Sequence, residues 1–248
     1  MIERDTRSRY RGSAGGILWS AINPLLMLAV YTYFFSEVFH ARWGNTLQVK
    51  ADFALILFVG LLLHGFLSES IIRAPQLIVG QANLVRKVVF PLELLPIVGI
   101  GSALFHFLVG ILIWLAFYVL THGLPPATAF LLPLVVIPLL IMLLGFCWLL
   151  SSLGVYLRDV GHVVPFISVV LMFASPVFYP LDALQEPFLT LVQMSPLTLP
   201  IQEARHVLID GLMPDWVMLA RYCLVALLVA YAGFAWFQGT RRGFADVL

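Results

Sequence analysis

Charge is what this sequence has least of. Asp, Glu, Lys and Arg make up 11% of its 248 residues while apolar types make up 61%, against roughly 25% charged in ordinary soluble domains. A chain with a mean hydropathy of +0.99 cannot clothe itself in hydrated side chains, so most of it must face lipid or other apolar helices. Lysine is nearly missing. Neither Lys50 nor Lys87 follows the glycines of a phosphate-binding loop, so the chain does not hold ATP through that motif. Cysteine is limited to Cys147 and Cys223, both inside apolar runs; they read as small core residues with no disulfide expected. The six histidines have no metal-ligand spacing, and no G-x-S-x-G elbow occurs. No metal and no cofactor are therefore expected on this chain, and nothing argues for an enzyme. A formal net charge of +1 gives no reason to expect nucleic acid as a partner.

What is present is a series of long apolar runs. A helix needs about 20 mostly apolar residues to cross about 30 Å of hydrocarbon, and six segments qualify as candidates: 17–39, 53–72, 94–120, 127–155, 163–179 and 216–237. The first is too long for a signal-peptide core and lacks a small-x-small cleavage site, so it reads as a retained anchor. Pro133 and Pro138 predict a kink in the fourth, and Pro165, Pro176 and Pro180 bracket a short fifth. Basic residues set the orientation. With the N-terminus inside, ten of them (Arg4, Arg7, Arg9, Arg11, Arg73, Arg86, Lys87, Arg158, Arg241 and Arg242) are cytoplasmic; Arg42, Lys50 and Arg205 are external, and Arg221 lies just inside the last span. This predicts an all-α integral membrane protein with six spans and both termini in the cytoplasm.

Smaller elements fill the gaps. Glu3 with Arg7 and Asp5 with Arg9 are i,i+4 pairs, so residues 1–16 are expected to form an interfacial helix on the inner surface. The external segment 181–215 is acidic except for Arg205. Within it, 200–210 predicts a short amphipathic helix capped by Thr198, with Ile201, Ala204 and Leu208 on one face and Gly211 at its end. A second helix is expected over 186–194. Eleven residues reach only about 16 Å, so such helices lie on the outer face or dip in and return. Gly99, Ala103, Gly145, Ser151, Ser152 and Gly154 form small-residue stripes suited to close packing, either within the chain or across a dimer seam. His64 and His106 fall inside spans, either as ligands or proton carriers or, more commonly, bonded to a neighbouring helix.

Three stretches carry more than apolar background: RDTRSRYRGSAGGILW at 4–19, ANLVRKVVFPLELLP at 82–96, and GVYLRDVGHVVPFISVVLMFASPVFYP at 154–180. In the second, Pro91 forces a turn at Phe90 and puts Glu93 in the first turn of the third span, where a helix favours negative charge. Asn83 is placed to cap a short helix holding Arg86 and Lys87. Leu84, Val85, Val88, Val89 and Phe90 add apolar surface that calls for a partner. The three stretches, in this order along nearly the whole chain, resemble the permease subunits of bacterial ATP-binding-cassette exporters for lipid-linked polysaccharides: O-antigen, capsule and teichoic acid. Members of that family usually carry more residues ahead of the first stretch, so the interfacial helix here is expected to be short or to lack its start.

The resemblance implies a single transmembrane domain over 1–248, comprising an interfacial segment (1–16), spans (17–237) and a cytoplasmic tail (238–248). It implies a homodimer with a channel between the copies in the inner membrane, lipid-linked polysaccharide (foremost the O-antigen of lipopolysaccharide) as substrate, and ATP with magnesium on a separate nucleotide-binding subunit. Two loops, near 73–93 and 156–162, become coupling elements, with Asn83, Arg86, Lys87, Arg158 and Asp159 as contacts. Tyr31, Tyr33, Phe35, Phe39, Phe105 and Trp114 line either the channel or an interfacial aromatic belt. Ser175, Pro176, Tyr179 and Pro180 form either an outer gate or a simple kink. Two rivals stand beside this reading: an exporter for a drug or small lipophile, and a membrane enzyme acting on lipid-linked sugars. The enzyme would need facing acids, for which Glu69 and Glu93 are the candidates. Cysteines placed at 86 and 158 are expected to react with an impermeant thiol reagent only from the cytoplasmic side; labelling from the other side would reverse the topology.

Overall fold

A computed structural model describes residues 19–33, 50–81 and 90–247. The expected interfacial helix at 1–16, together with Phe35, Phe39, Asn83, Arg86 and Lys87, lies outside them. Every regular element among the described residues is helical: α1 (Trp19–Thr32), α2 (Lys50–Arg73), a one-turn α3 (Gln76–Val79), α4 (Leu94–His122), α5 (Leu132–Tyr156, entered through a 3-10 turn at Ala127–Leu131) and α6 (Val160–Phe173). After α6 come the short α7 (Phe188–Gln193) and α8 (Thr198–Arg205), then α9 (Trp216–Thr240) and a final turn, α10 (Phe244–Val247).

Four stretches are long and apolar enough to cross a membrane: Phe53–Arg73, Leu94–His122, Ala127–Tyr156 and Trp216–Gly243. They match the second, third, fourth and sixth expected spans. The other two differ. The first is described only as α1, 14 residues long, and the fifth is the 14-residue α6, about 21 Å of helix. α6 begins three residues before the expected start and stops at Phe173, because Pro176 cannot continue a helix and disfavours the helical conformation just ahead of it. In α5, Pro133 sits in the first turn, where its missing N–H removes nothing, and the helix continues through Pro138.

α2 is the centre of the bundle. Of its apolar window 67% is buried, against 22% for α4 and 17% for α9, as expected for a helix apolar all round its circumference. α4 runs antiparallel along it, and successive contacts mark the register. The Trp114 indole N–H donates to the Leu55 carbonyl at 3.1 Å, Gly110 sits where a Cβ would fall 2.2 Å from Leu62 Cδ2, and His106 meets Glu69 at 2.9 Å. α5 and α9 form the tightest pair. A Cβ on Gly233 would lie 2.1 Å from the Gly145 carbonyl oxygen, and one on Gly145 would lie 2.5 Å from that of Val229. Backbones meet there without side chains between them.

The small-residue stripes serve contacts within the chain. Gly99 abuts Leu77, Gly145 abuts α9, and Gly154 sits against the Pro75 backbone. Ser152 bonds Thr240 at 2.7 Å, while Ser151 returns to its own helix at the Trp148 carbonyl. Lipid tails are as apolar as leucine, so close approach rather than water exclusion holds such helices together. Gly233→Val is therefore expected to destabilise the protein by about 1–3 kcal/mol, seen as a lowered thermal midpoint in nanodiscs. Gly239→Ala, with no heavy atom within 4 Å of the added Cβ, should leave the midpoint unchanged.

Candidate functional site

The basic residues of the described chain divide between two ends. Arg73, Arg158, Arg241 and Arg242 gather where α2, α5 and α9 finish; contacts between Gly154 and Pro75 and between Tyr156 Oη and the Thr240 carbonyl (2.7 Å) tie that end together. The turn joining α5 to α6 is formed by Leu157 in extended conformation, followed by Arg158 and Asp159. Both charged residues are exposed, and no ion pair joins them. Asp159 precedes α6 without capping it through its side chain. The pair thus presents one positive and one negative group outward, with no ion pair between them and no side-chain bond among the described residues.

Beside that turn lies a second apolar cluster, separate from the main core: Ile78, Leu95, Val155, Phe237 and Phe244. Phe90 and Leu92 pack against it, so the apolar face of Phe90, expected to await a partner, is partly covered by the chain itself. The Phe244 ring meets Phe237 edge-on at 5.6 Å. Glu93 was expected to answer the helix dipole of α4. It does precede the helix, but its carboxylate makes no capping bond; it accepts from Arg241 Nη1 at 3.2 Å, and its carbonyl accepts from the Trp148 indole at 3.1 Å. The elbow leading out of residues 82–89 is thereby fastened to the end of α9.

The opposite end is organised by the broken stretch after α6. A helix end leaves carbonyls without partners, and in apolar surroundings each must find a donor. Here the donors come one by one. Ala174 N–H goes to the Val170 carbonyl at 2.8 Å, Ser175 Oγ to Leu171 at 2.6 Å, and Tyr179 Oη to Phe173 at 2.5 Å. The carbonyls of Pro176 and Val177 accept from Arg205 Nη1 and Nη2 at 2.7 and 3.0 Å, while Arg205 Nε donates to Ile56 of α2 at 3.2 Å. Gly60 leaves room for that guanidinium, since a Cβ there would fall 2.9 Å from Nη2. Burial pulls the Arg205 guanidinium down to about 9, opposed by the nearby Asp210, which keeps it protonated at neutral pH. Ser175 Oγ also meets Ser195 Oγ at 2.6 Å, and Tyr222 Oη of α9 donates to the Pro196 carbonyl at 2.7 Å.

Ser175, Pro176 and Tyr179 thus belong to one junction, with Pro180 opening the 3-10 turn that follows. Arg205, its hub, was visible in the sequence only as the lone base in an acidic segment. The expected amphipathic face is present, but it runs from α8 into a π-helical turn at His206–Asp210: Ile201, Ala204 and Leu208 are all buried, and Gly211 ends that turn at φ +68°. Thr198 does not cap it. Leu197 holds that position, and the Thr198 hydroxyl donates to the Val192 carbonyl.

The aromatic residues separate. Tyr33 is 60% exposed, whereas Trp114 is completely buried between α2 and α4 and stacks on Tyr118 at 5.0 Å; its surface is covered inside this chain. Phe105 is half-buried, edge-on to His106 at 5.7 Å. Tyr31 lies in α1. Glu69 and Glu93 are not brought together: one pairs with His106, the other with Arg241. The histidines in spans bond neighbouring helices, His64 Nε2 to the Ser168 carbonyl of α6 at 3.0 Å and His106 Nδ1 to Glu69 of α2.

A chain whose described residues form only helices, several of them long and apolar, with its arginines gathered at two ends and a polar junction closed by its own donors, is a multi-pass membrane protein. Residues 1–209 match the ABC-2 type transporter family, and the chain belongs to that family. It is similar to the O-antigen export system permease protein RfbA of Myxococcus xanthus, 27% identical over 248 residues, covering 99% of this chain and 93% of that protein. Two permeases of the same description from Klebsiella pneumoniae are 25% and 24% identical over 250 residues, each covering 100% of this chain and 93% of the relative.

Arg205→Met would strand the Pro176 and Val177 carbonyls in an apolar setting. It is expected to lower stability by about 3 kcal/mol or more, read as a drop in thermal midpoint of the purified protein. Arg205→Lys, a point donor without the planar fork, should recover only part of that loss.

Proposed function

We propose that this chain is the channel-forming half of an ATP-driven exporter that moves lipid-linked polysaccharide, foremost lipopolysaccharide O-antigen, outward across a bacterial inner membrane. The observation that carries this reading is end-to-end similarity to three permeases described as O-antigen export proteins. The chain works as one transmembrane domain of six spans, α1 and α6 supplying the first and fifth, with both termini in the cytoplasm. Four arginines at the Arg158 end, against Arg205 and Arg221 with Lys50 at the other, favour this orientation. Two copies enclose the channel. Exposed apolar side chains along α1, α4, α6 and α9, among them Leu26, Leu112, Phe166 and Leu228, supply surface for lipid and for a second copy. Tyr31, Tyr33, Phe35, Phe39 and Phe105 are the aromatic residues left to line it, Trp114 being interior.

Force arrives from a separate nucleotide-binding chain that carries ATP and magnesium. ATP binding draws two such motors together, and they push on the exposed Arg158–Asp159 turn and on the basic element at Asn83, Arg86 and Lys87. The second push reaches α4 directly, because the elbow at Phe90–Glu93 is seated on the inner apolar cluster. At the far end, the junction of Ser175, Pro176, Tyr179 and Pro180 acts as the outer gate, with Arg205 as its latch.

The test is charge reversal. The double variant Arg86→Glu, Lys87→Glu is expected to insert normally, lose co-purification with the ATPase and abolish surface glycan. Normal export with the ATPase still bound would overturn the coupling assignment. Deleting the gene without loss of any surface polysaccharide would overturn the substrate reading.

A further inference from the structure

Beyond the last long helix the chain does not run out into solvent. α9 stops at Thr240, and a 3-10 turn over Arg241–Gly243 carries the chain into α10. Residues from this turn onward meet separate elements. Arg241 donates to Glu93, just ahead of α4, at 3.2 Å. Gly243 passes over Tyr156 of α5, where a Cβ would fall 2.6 Å from Oη. The Phe244 ring stands 5.6 Å from that of Phe237 in α9 and 5.9 Å from that of Tyr156. It is completely buried. Lipid would cover an apolar ring as well as protein does, so its enclosure here reflects fit to particular neighbours.

Those neighbours sit at the roots of both motor-facing loops. Ile78 belongs to the same cluster and Val79 packs against it, shortly before the chain leaves for residues 82–89. Phe90 and Leu92 pack against it where the chain returns, and Leu95 joins it at the start of α4. Val155, also a member, stands just ahead of the turn that holds Arg158 and Asp159. We propose that Phe244 is a positioning residue for transport: it seats the roots of both loops on one rigid cluster, so that force from the motor reaches α4, α5 and α9 together. The proposal rests on the motor-driven export reading and adds the element that joins its two contact points.

Packing physics supports it. Close-packed apolar interiors compress little and transmit strain, so a filled cluster holds spacings that an emptied one would not. Polar ties from the same turn work in the same sense. The Ser152 and Thr240 hydroxyls, 2.7 Å apart, pin α5 to the end of α9, and the Tyr156 hydroxyl donates to the Thr240 carbonyl at 2.7 Å. A ring that merely finished off α9 would act differently: its loss would loosen α9 and α10 and leave both loops as they were.

Phe244→Ala empties the cluster without touching a charged contact. The variant is purified with its ATPase in nanodiscs, and backbone hydrogen exchange is followed along the chain. Exchange is expected to rise several-fold over 76–81, 90–95 and 155–160 together and to stay unchanged over 201–210, around Arg205. A rise confined to 237–247 would overturn the clamp. In cells, surface glycan is expected to fall several-fold, while the ATPase stays bound and ATP hydrolysis by the purified complex falls far less. Lost co-purification, hydrolysis lost in proportion to export, or undiminished export would each overturn the transmission role. Val247, exposed on the same turn, gives the control: Val247→Ala should change neither readout, and an equal effect would assign the role to the turn at large and not to the ring. Should Phe244→Ala fail to insert, Phe244→Val, which removes less, is read by the same criteria. Exchange in the purified complex is measured without reference to cargo, so the two layers separate. Surface glycan retained after gene deletion rejects the export function and leaves the exchange result standing, whereas loops unchanged in the Phe244→Ala protein reject the clamp alone.

Discussion

Backbone groups in an apolar medium must all find partners, and that demand shapes this protein most visibly where a helix stops. α6 ends short, and the carbonyls it leaves behind would be intolerable among lipid-facing helices. One guanidinium answers for two carbonyls of the broken stretch that follows, reaching back from α8 to Pro176 and Val177 while also touching Ile56 of the central helix. Ser175 and Tyr179 answer for the Leu171 and Phe173 carbonyls of α6 itself. The short helices, the broken stretch and the core of α2 are thereby one unit. The charge on Arg205 is tolerated because its donors point at carbonyl dipoles with Asp210 close by.

The two ends are built on different physics, and the difference suits the proposed division of labour. At the Arg205 end, polarity is turned inward and consumed by hydrogen bonds. At the Arg158 end, a small apolar cluster anchors the elbow before α4 while charge is left on the surface. Apolar contacts fix position without fixing direction, and the Glu93–Arg241 pair adds the direction. Between the ends run two stiff pairs, α2 with α4 and α5 with α9, whose backbones approach so closely at Gly145 and Gly233 that sliding one past the other would open a void or force a clash.

Much of this was legible in the linear order of residues. Long apolar runs announced the spans near 53–72, 94–120, 127–155 and 216–237, and the helices begin and end within a few residues of those limits. The buried face of α8 and of the π-helical turn after it followed from Ile201, Ala204 and Leu208 at helical spacing, and the end of that turn from Gly211 in the left-handed region. The aromatic residues were less legible. Composition placed Trp114 and Phe105 in the same group, yet one is sealed between helices and the other half-open, because the side of α4 that meets α2 depends on helix rotation. Thr198 was assigned a cap and Glu93 a place in the first turn of α4 from local rules, and each side chain took a partner from another element.

By itself, the sequence determined the solvent of this protein, the placing of its four long apolar helices, and the asymmetry of its basic residues. These are properties of composition and order, read one segment at a time, and transfer energies act on each segment independently. The tertiary structure alone decided that Arg205 bridges the broken stretch after α6, that Glu69 meets His106 and His64 meets Ser168, and that Gly145 faces Gly233. These depend on how helices turn about their own axes and which ones touch. Nearly featureless apolar faces encode that rotation only through the joint packing of all their neighbours.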